Sequence, residues 1–169
     1  MATPYLRQKF SVKYCLLITG LLLSINLLNA QTKKTVPPFE IELTGGKGFT
    51  SKDLKTDKKL MLIYFSPTCE HCQTFITDLL KNIEQLKNMQ IVMISYLPIQ
   101  EITKFETDFK LSQYTNIKVG TEGYSFIVQH WYNIQRFPFT ALFNNKNILT
   151  AVYRDVPPMN VLMEKIKAN

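Results

Sequence analysis

Leu60-Met61-Leu62-Ile63-Tyr64-Phe65-Ser66-Pro67-Thr68-Cys69-Glu70-His71-Cys72 is the stretch on which the fold turns. Its first six residues are apolar without interruption. That run is too short for a helix and shows no polar alternation, as in a central strand covered on both faces. Ser66-Pro67-Thr68 breaks it. Phe75, Ile76, Leu79, Leu80, Ile83 and Leu86 then recur at helical spacing, so the sequence predicts a helix from about Cys69 to Lys87. A buried strand therefore delivers a cysteine pair to the mouth of a helix. There the free N–H groups and the positive end of the helix dipole stabilise an anion on Cys69, the form in which a cysteine attacks a disulfide. Cys72 lies one turn later on the same side, where it can close a ring onto Cys69 and release a partner held as a mixed disulfide.

Two other chemistries fit a CxxC pair. A metal site would need a second pair of ligands, and residues 31–169 offer only His71 and His130 besides the cysteines. A copper- or zinc-handling or partner-binding module is thus the alternative to a redox centre. Two inert buried thiols would sit inside an element rather than at its mouth. Glu70 and His71 act in opposite directions, since an imidazolium beside Cys69 favours the thiolate and a carboxylate disfavours it. They tune the couple or are simply solvated, and the direction of electron flow stays open.

Moving outward, Ile91–Tyr96 reads as a second buried strand ended by Pro98, followed by a polar helix bearing Ile102, Phe105 and Phe109. Strand, helix, strand, helix make a right-handed βαβ unit with a parallel pair. Towards the N-terminus, Phe39–Leu43 alternates with period two, Gly45-Gly46-Lys47-Gly48 makes a turn, and Ser51–Leu54 a short helical turn. No Gly-Lys-Ser/Thr follows the glycines, which argues against a phosphate loop. Residues 115–125 point to no element. A helix over 125–133 would align Ile127, Trp131 and Ile134 in one stripe, with His130 on that stripe as a core histidine. Phe139–Phe143 and Ile148–Arg154 form a hairpin around Asn144–Asn147, and Pro157-Pro158 opens a terminal helix with Val161, Leu162 and Ile166. Pro138 either ends the helix before it or marks a cis bond after Phe137. The expectation is an α/β domain: a mixed central sheet flanked by helices, with an N-terminal β-hairpin extension.

Of the 169 residues, 46% are hydrophobic and 20% charged, with 6 Gly and 8 Pro, which excludes a disordered or low-complexity chain. The net charge is +7, but Arg7, Lys9 and Lys13 fall in an N-terminal segment without acids and the rest is scattered. Nucleic acid is not an expected partner. Residues 1–30 combine a basic start, the uncharged run CLLITGLLLSINLL over 15–28, and Ala30. Fourteen residues of helix reach roughly 21 Å, short of a bilayer core of roughly 30 Å. That describes a signal peptide, or else an uncleaved anchor that would tether the chain to a membrane through residues 15–28. Cys15 precedes the apolar run, whereas a lipid-modified cysteine would follow it. Residues 31–38 read as a linker and 39–169 as the domain, exported to a periplasm or cell envelope where disulfides persist.

Phe65-Ser66-Pro67-Thr68-Cys69-Glu70-His71-Cys72 after an apolar strand, Phe137-Pro138-Phe139-Thr140 before the hairpin, and the extension FEIELTGGKGFTSKDL together resemble the thioredoxin fold. Within it they are similar to the exported TlpA/ResA-type thiol–disulfide oxidoreductases of the thioredoxin/redoxin family, over about residues 39–167. The resemblance implies that Cys69 attacks and Cys72 resolves. It also implies that Pro138 is a cis-proline facing them, and that Pro138 and the Phe137 backbone dock an extended substrate chain. Implied partners are protein thiols and disulfides and a redox partner yet to be identified; no cofactor or resident metal is implied. Three positions depart from the family pattern. Ile63 stands where many thioredoxins carry a proton-relaying carboxylate, Thr68 replaces an aromatic, and Phe137 is bulkier than usual. Ser66 stands where peroxiredoxins need Thr, which weakens a peroxidase reading.

Overall fold

The apolar run becomes β3 (Leu60–Tyr64), every residue of it buried. On one side lies parallel β4 (Gln90–Ser95) and on the other antiparallel β6 (Phe139–Phe143), in registers that pair Tyr64 with Ile94 and with Phe139. The computed structural model describes residues 35–168, so residues 1–34, with the expected signal peptide or anchor and Cys15, lie outside it. The other strands are β1 (Glu40–Leu43), β2 (Gly48–Thr50), β5 (Ile117–Thr121) and β7 (Leu149–Tyr153), giving one seven-stranded mixed sheet in the order β2-β1-β5-β4-β3-β6-β7. The expected hairpin extension is β1–β2, hydrogen-bonded to the core sheet through antiparallel β5. The β2 strand ends in a single 3-10 turn, Ser51–Asp53, capped by Thr50.

Each face of the sheet carries its own apolar core. Met61, Ile63 and Met93 point to one side, where helices α1 (Glu70–Lys81), α3 (Ile99–Asp108) and α5 (Met159–Lys167) bury Phe75, Ile76, Leu79, Ile102, Phe105, Leu162 and Ile166. Leu60, Leu62, Tyr64, Val92 and Ile94 point to the other, against Phe39, Ile41 and α4 (Ile127–Tyr132). The alternation of side chains along a strand makes this division, and it explains why an unbroken apolar run is needed at the centre.

Four expectations need correction. The single helix over 69–87 is two: α1 stops at Lys81 and a separate turn, α2 (Ile83–Leu86), follows. Asn82 sits between them at φ −108°, ψ 9°, its side-chain amide donating to the Asp78 carbonyl. An asparagine that offers the backbone a side-chain partner weakens the helix ladder there. The stretch without a visible element contains β5, disguised by Lys118 and Gly120. That glycine is required: a Cβ there would lie 2.5 Å from the Glu42 carbonyl oxygen of β1. In α4 the buried positions are Val128 and Tyr132, and His130 is exposed, not a core histidine. The helix starts directly after a left-handed Phe126 (φ 48°). In α5, Val161 is exposed and Met163 takes its place in the core.

The described chain starts at Thr35, which bridges to Ile148 beside the β6–β7 turn, and Pro37 just after it is buried. Leu149 pairs with Phe143, and Phe143 with Leu60, the first residue of β3. The cysteines follow the last residue of β3, so chain entry and cysteines lie at opposite ends of the sheet.

Candidate functional site

After Tyr64 the chain leaves the sheet through Phe65, whose N–H still bonds to Ile94 of β4. It then turns tightly: the Cys69 N–H donates to the Ser66 carbonyl at 3.1 Å, and the Gln73 side-chain amide donates to the Pro67 carbonyl at 2.8 Å. The Ser66 and Thr68 hydroxyls are hydrogen-bonded to each other at 3.1 Å. Cys69 is the N-cap of α1, with extended backbone and no side-chain cap bond. Its thiol donates instead across the site to the Phe137 carbonyl at 3.7 Å. In this dithiol form the sulfur thus faces the Phe137 backbone rather than the N–H groups of its own helix.

The two cysteines differ sharply in environment. Cys69 is half-buried, while Cys72 is 0% exposed, inside the core that holds Ile63 and Phe65. Burial pushes the Cys72 thiol well above its ordinary range, a backbone hydrogen bond from Ser66 opposes that, and a hydrogen bond with the Cys69 thiol adds to it. An accessible sulfur and a sealed one, one helical turn apart, can each carry one half of a two-step exchange. Ile63 lies in this same apolar core.

Across from the cysteines, the Phe137–Pro138 bond is cis, the sharper of the two readings of that proline. Pro138 is buried, and Phe137 is part-exposed and packs against the cores of both faces. Its ring lies 5.8 Å from Tyr64 and 5.9 Å from Tyr96, and Tyr96 is 5.9 Å from Phe126. Phe65 and Phe139 are fully buried core residues.

Glu70 and His71 project from the first turn of α1, both exposed and neither in an ion pair. The structure therefore brings Cys69, Cys72, Phe137 and Pro138 together and leaves Glu70 and His71 in solvent beside them. His130 contacts the Phe126 ring at 6.0 Å, away from the sulfurs. Among the described residues no three His, Cys, Asp or Glu side chains gather as metal ligands, and no helix is long and apolar enough to cross a membrane.

Sequence reasoning did not single out Tyr64, Tyr96 or Glu122. Tyr64 read as one more apolar strand residue. In the structure its hydroxyl donates to the Glu122 carboxylate at 2.7 Å, which together with burial pushes the phenol far above its ordinary range. Glu122 lies in the stretch where no element was visible, and only the capacity of Tyr64 for a polar partner hinted at it.

Comparison with known proteins agrees with this geometry. No curated protein matches the sequence. Among solved structures, a secreted disulfide oxidoreductase of Mycobacterium tuberculosis is 15% identical, with 78% of this chain and 96% of that one covered and a TM-score of 0.65. A thiol-disulfide oxidoreductase of Bacteroides fragilis is 18% identical, covering 80% and 98% at a TM-score of 0.63. An exposed lipoprotein thioredoxin of Streptococcus pneumoniae is 16% identical, covering 78% and 99% at 0.61. At these identities the likeness establishes the thioredoxin-type fold. The model of the AhpC/TSA family matches residues 32–154, from before β1 to the end of β7, and the chain therefore belongs to the AhpC/TSA family, as a redoxin-type oxidoreductase.

Proposed function

We propose that the protein is a thiol–disulfide oxidoreductase of the cell envelope in which Cys69 attacks and Cys72 resolves. The observation that carries this reading is the unequal thiol pair at the start of α1, Cys69 half-buried and Cys72 sealed in the core, with the Phe137 carbonyl beside the cis-proline on the outer sulfur. As a reductant, the Cys69 thiolate attacks one sulfur of a partner's disulfide. A Cys69–partner disulfide forms and the partner's other sulfur leaves as a thiolate. Cys72, losing its proton, attacks the Cys69 sulfur. The Cys69–Cys72 disulfide forms, the second partner thiol leaves, and two electrons have passed to the partner. A dithiol donor then restores the pair. As an oxidant the same steps run in reverse. Phe137 and Pro138 dock the partner's extended chain, while Glu70 and His71, exposed beside Cys69, tune the couple in opposing senses.

Export is supported by the basic-then-apolar N-terminus and by the secreted and surface-exposed standing of two similar structures. Whether residues 15–28 are removed or stay as a membrane tether is read by sizing the protein recovered from the envelope.

The test is turnover of insulin disulfides by wild type, Cys69→Ser and Cys72→Ser. Cys69→Ser should be inactive, and Cys72→Ser should accumulate a mixed disulfide visible on non-reducing gels. A Cys69→Ser protein that still turns over disulfides refutes the assignment. Equilibration against glutathione fixes direction: a potential near about −270 mV marks a reductant and one near about −120 mV a disulfide donor. Absence of any two-electron couple would shift the reading to copper or zinc handling.

A further inference from the structure

Among the described residues Glu122 is the one buried acid, 7% exposed, and it forms no ion pair. A buried carboxylate without a cation is costly unless its oxygens are well supplied with donors. Here one oxygen accepts the Tyr64 hydroxyl at 2.7 Å and the other the Val128 N–H at 2.9 Å. Its backbone is equally committed. The Glu122 N–H donates to Ser95 at the end of β4, and the Glu122 carbonyl accepts the Ser125 hydroxyl at 2.9 Å. One residue therefore joins the ends of β3, β4 and β5 to the first turn of α4.

These are the elements that hold Phe137 on the face away from Cys72. Tyr64 meets the Phe137 ring at 5.8 Å and Tyr96, next after Ser95, meets it at 5.9 Å. Phe126, in the loop that Glu122 pins, packs tilted against Tyr96, and Tyr124 in the same loop is 89% exposed with its ring 6.2 Å from Phe126. Phe137 in turn presents its carbonyl to the Cys69 thiol. No carboxylate relays a proton to Cys72 by this route, because Tyr64 and Glu122 serve the opposite side of the sheet from Cys72.

We propose that Glu122, acting through Tyr64, is a positioning residue: it holds the Phe137 ring and carbonyl in place to receive the extended chain of a protein substrate. The proposal rests on the thiol–disulfide reading above. It separates substrates by size. A protein disulfide must lay its chain along Phe137 and Pro138, whereas a small aromatic disulfide needs only the Cys69 sulfur.

The experiment uses Tyr64→Phe, which removes only the hydroxyl, and Glu122→Gln, which removes the charge and leaves a single acceptor oxygen where Tyr64 and Val128 now have one each. Insulin and the small reagent 5,5′-dithiobis(2-nitrobenzoate) serve as substrates, with amide hydrogen exchange measured on the same proteins. Both variants should raise the KM for insulin roughly tenfold, the scale of one lost buried hydrogen bond to a charged group, with kcat and the small-disulfide rate held within twofold. Exchange in residues 136–140 should quicken by a similar factor while residues 91–94 stay protected. Unchanged exchange at 136–140 overturns the proposal. So does a small-disulfide rate that falls in step with insulin turnover, since that pattern reports general loosening. If wild type turns over neither disulfide, the oxidoreductase reading fails by itself and the exchange data alone decide whether Glu122 positions Phe137.

Discussion

The burial of Cys72 makes a quantitative prediction about stability against pH. The thiol is 0% exposed, and burial raises it far above its ordinary value of 9.0. In the unfolded chain it titrates normally. A group raised in the native state contributes stability that is complete below the unfolded value and is lost as pH climbs from there towards the folded value. The loss therefore begins near pH 9. It amounts to about 0.4 kcal/mol at pH 9 and about 1.4 kcal/mol at pH 10, growing by about 1.36 kcal/mol per further unit. Tyr64 and Tyr132 are also raised by burial from 10.0, so alkaline destabilisation of wild type alone would be ambiguous. A cleaner comparison sets Cys69→Ala against Cys69→Ala/Cys72→Ala. The tyrosines cancel, and burial, the largest cause of the Cys72 shift, remains in the first protein. Guanidinium denaturation at pH 7, 9 and 10 gives the difference in unfolding free energy. The cavity cost of the second substitution is constant with pH, so only the trend matters. A difference that stays flat to pH 10 would mean that Cys72 ionises as readily in the native protein as in the unfolded chain, and the sealed-thiol account would be wrong.

Two further outcomes follow from the fold. Gly120→Ala places a Cβ 2.5 Å from the Glu42 carbonyl, backbone that cannot step aside without opening β1 from β5. Overpacking of this kind costs about 1–3 kcal/mol, and a thermal midpoint within 1 °C of wild type would contradict it. The Asp53 carboxyl is held below its ordinary range by the hydroxyl and N–H of Thr50, so the stability it adds is present above the usual carboxylate range and fades as pH falls through the lowered value. Thr50→Val removes the hydroxyl donor. An NMR titration should then show the Asp53 midpoint rise, and an unmoved midpoint would show that the capping box does not set it.

The candidate site of this protein was legible because its signals are local. An unbroken apolar run, a proline break and two cysteines one turn apart specify strand, turn and helix mouth without reference to the rest of the chain. Phe137-Pro138 was legible for the same reason. What stayed hidden depends on partners distant in sequence. Strand β5 breaks its own pattern with Gly120 because β1, some eighty residues earlier, comes too close for a side chain. Asn82 interrupts a helix whose apolar periodicity runs straight through it. His130 faces solvent on a helix of six residues, too short for a periodicity count to fix which side is buried. The pairing of Glu122 with Tyr64 spans 58 positions, and nothing near either residue announces it.

Chain entry and thiols lie at opposite ends of the sheet. The bridge from Thr35 to Ile148 fixes one end, and the outer sulfur of Cys69 stands beyond the other. Five residues of strand at about 3.3 Å each put roughly 16 Å of rigid protein between them. A segment joined directly at Thr35 would begin at the end of the sheet away from the Cys69 sulfur. A fusion joined at Thr35 should therefore leave access to Cys69 intact, whereas one inserted after Phe126 would fall beside the Tyr96 ring that packs on Phe137.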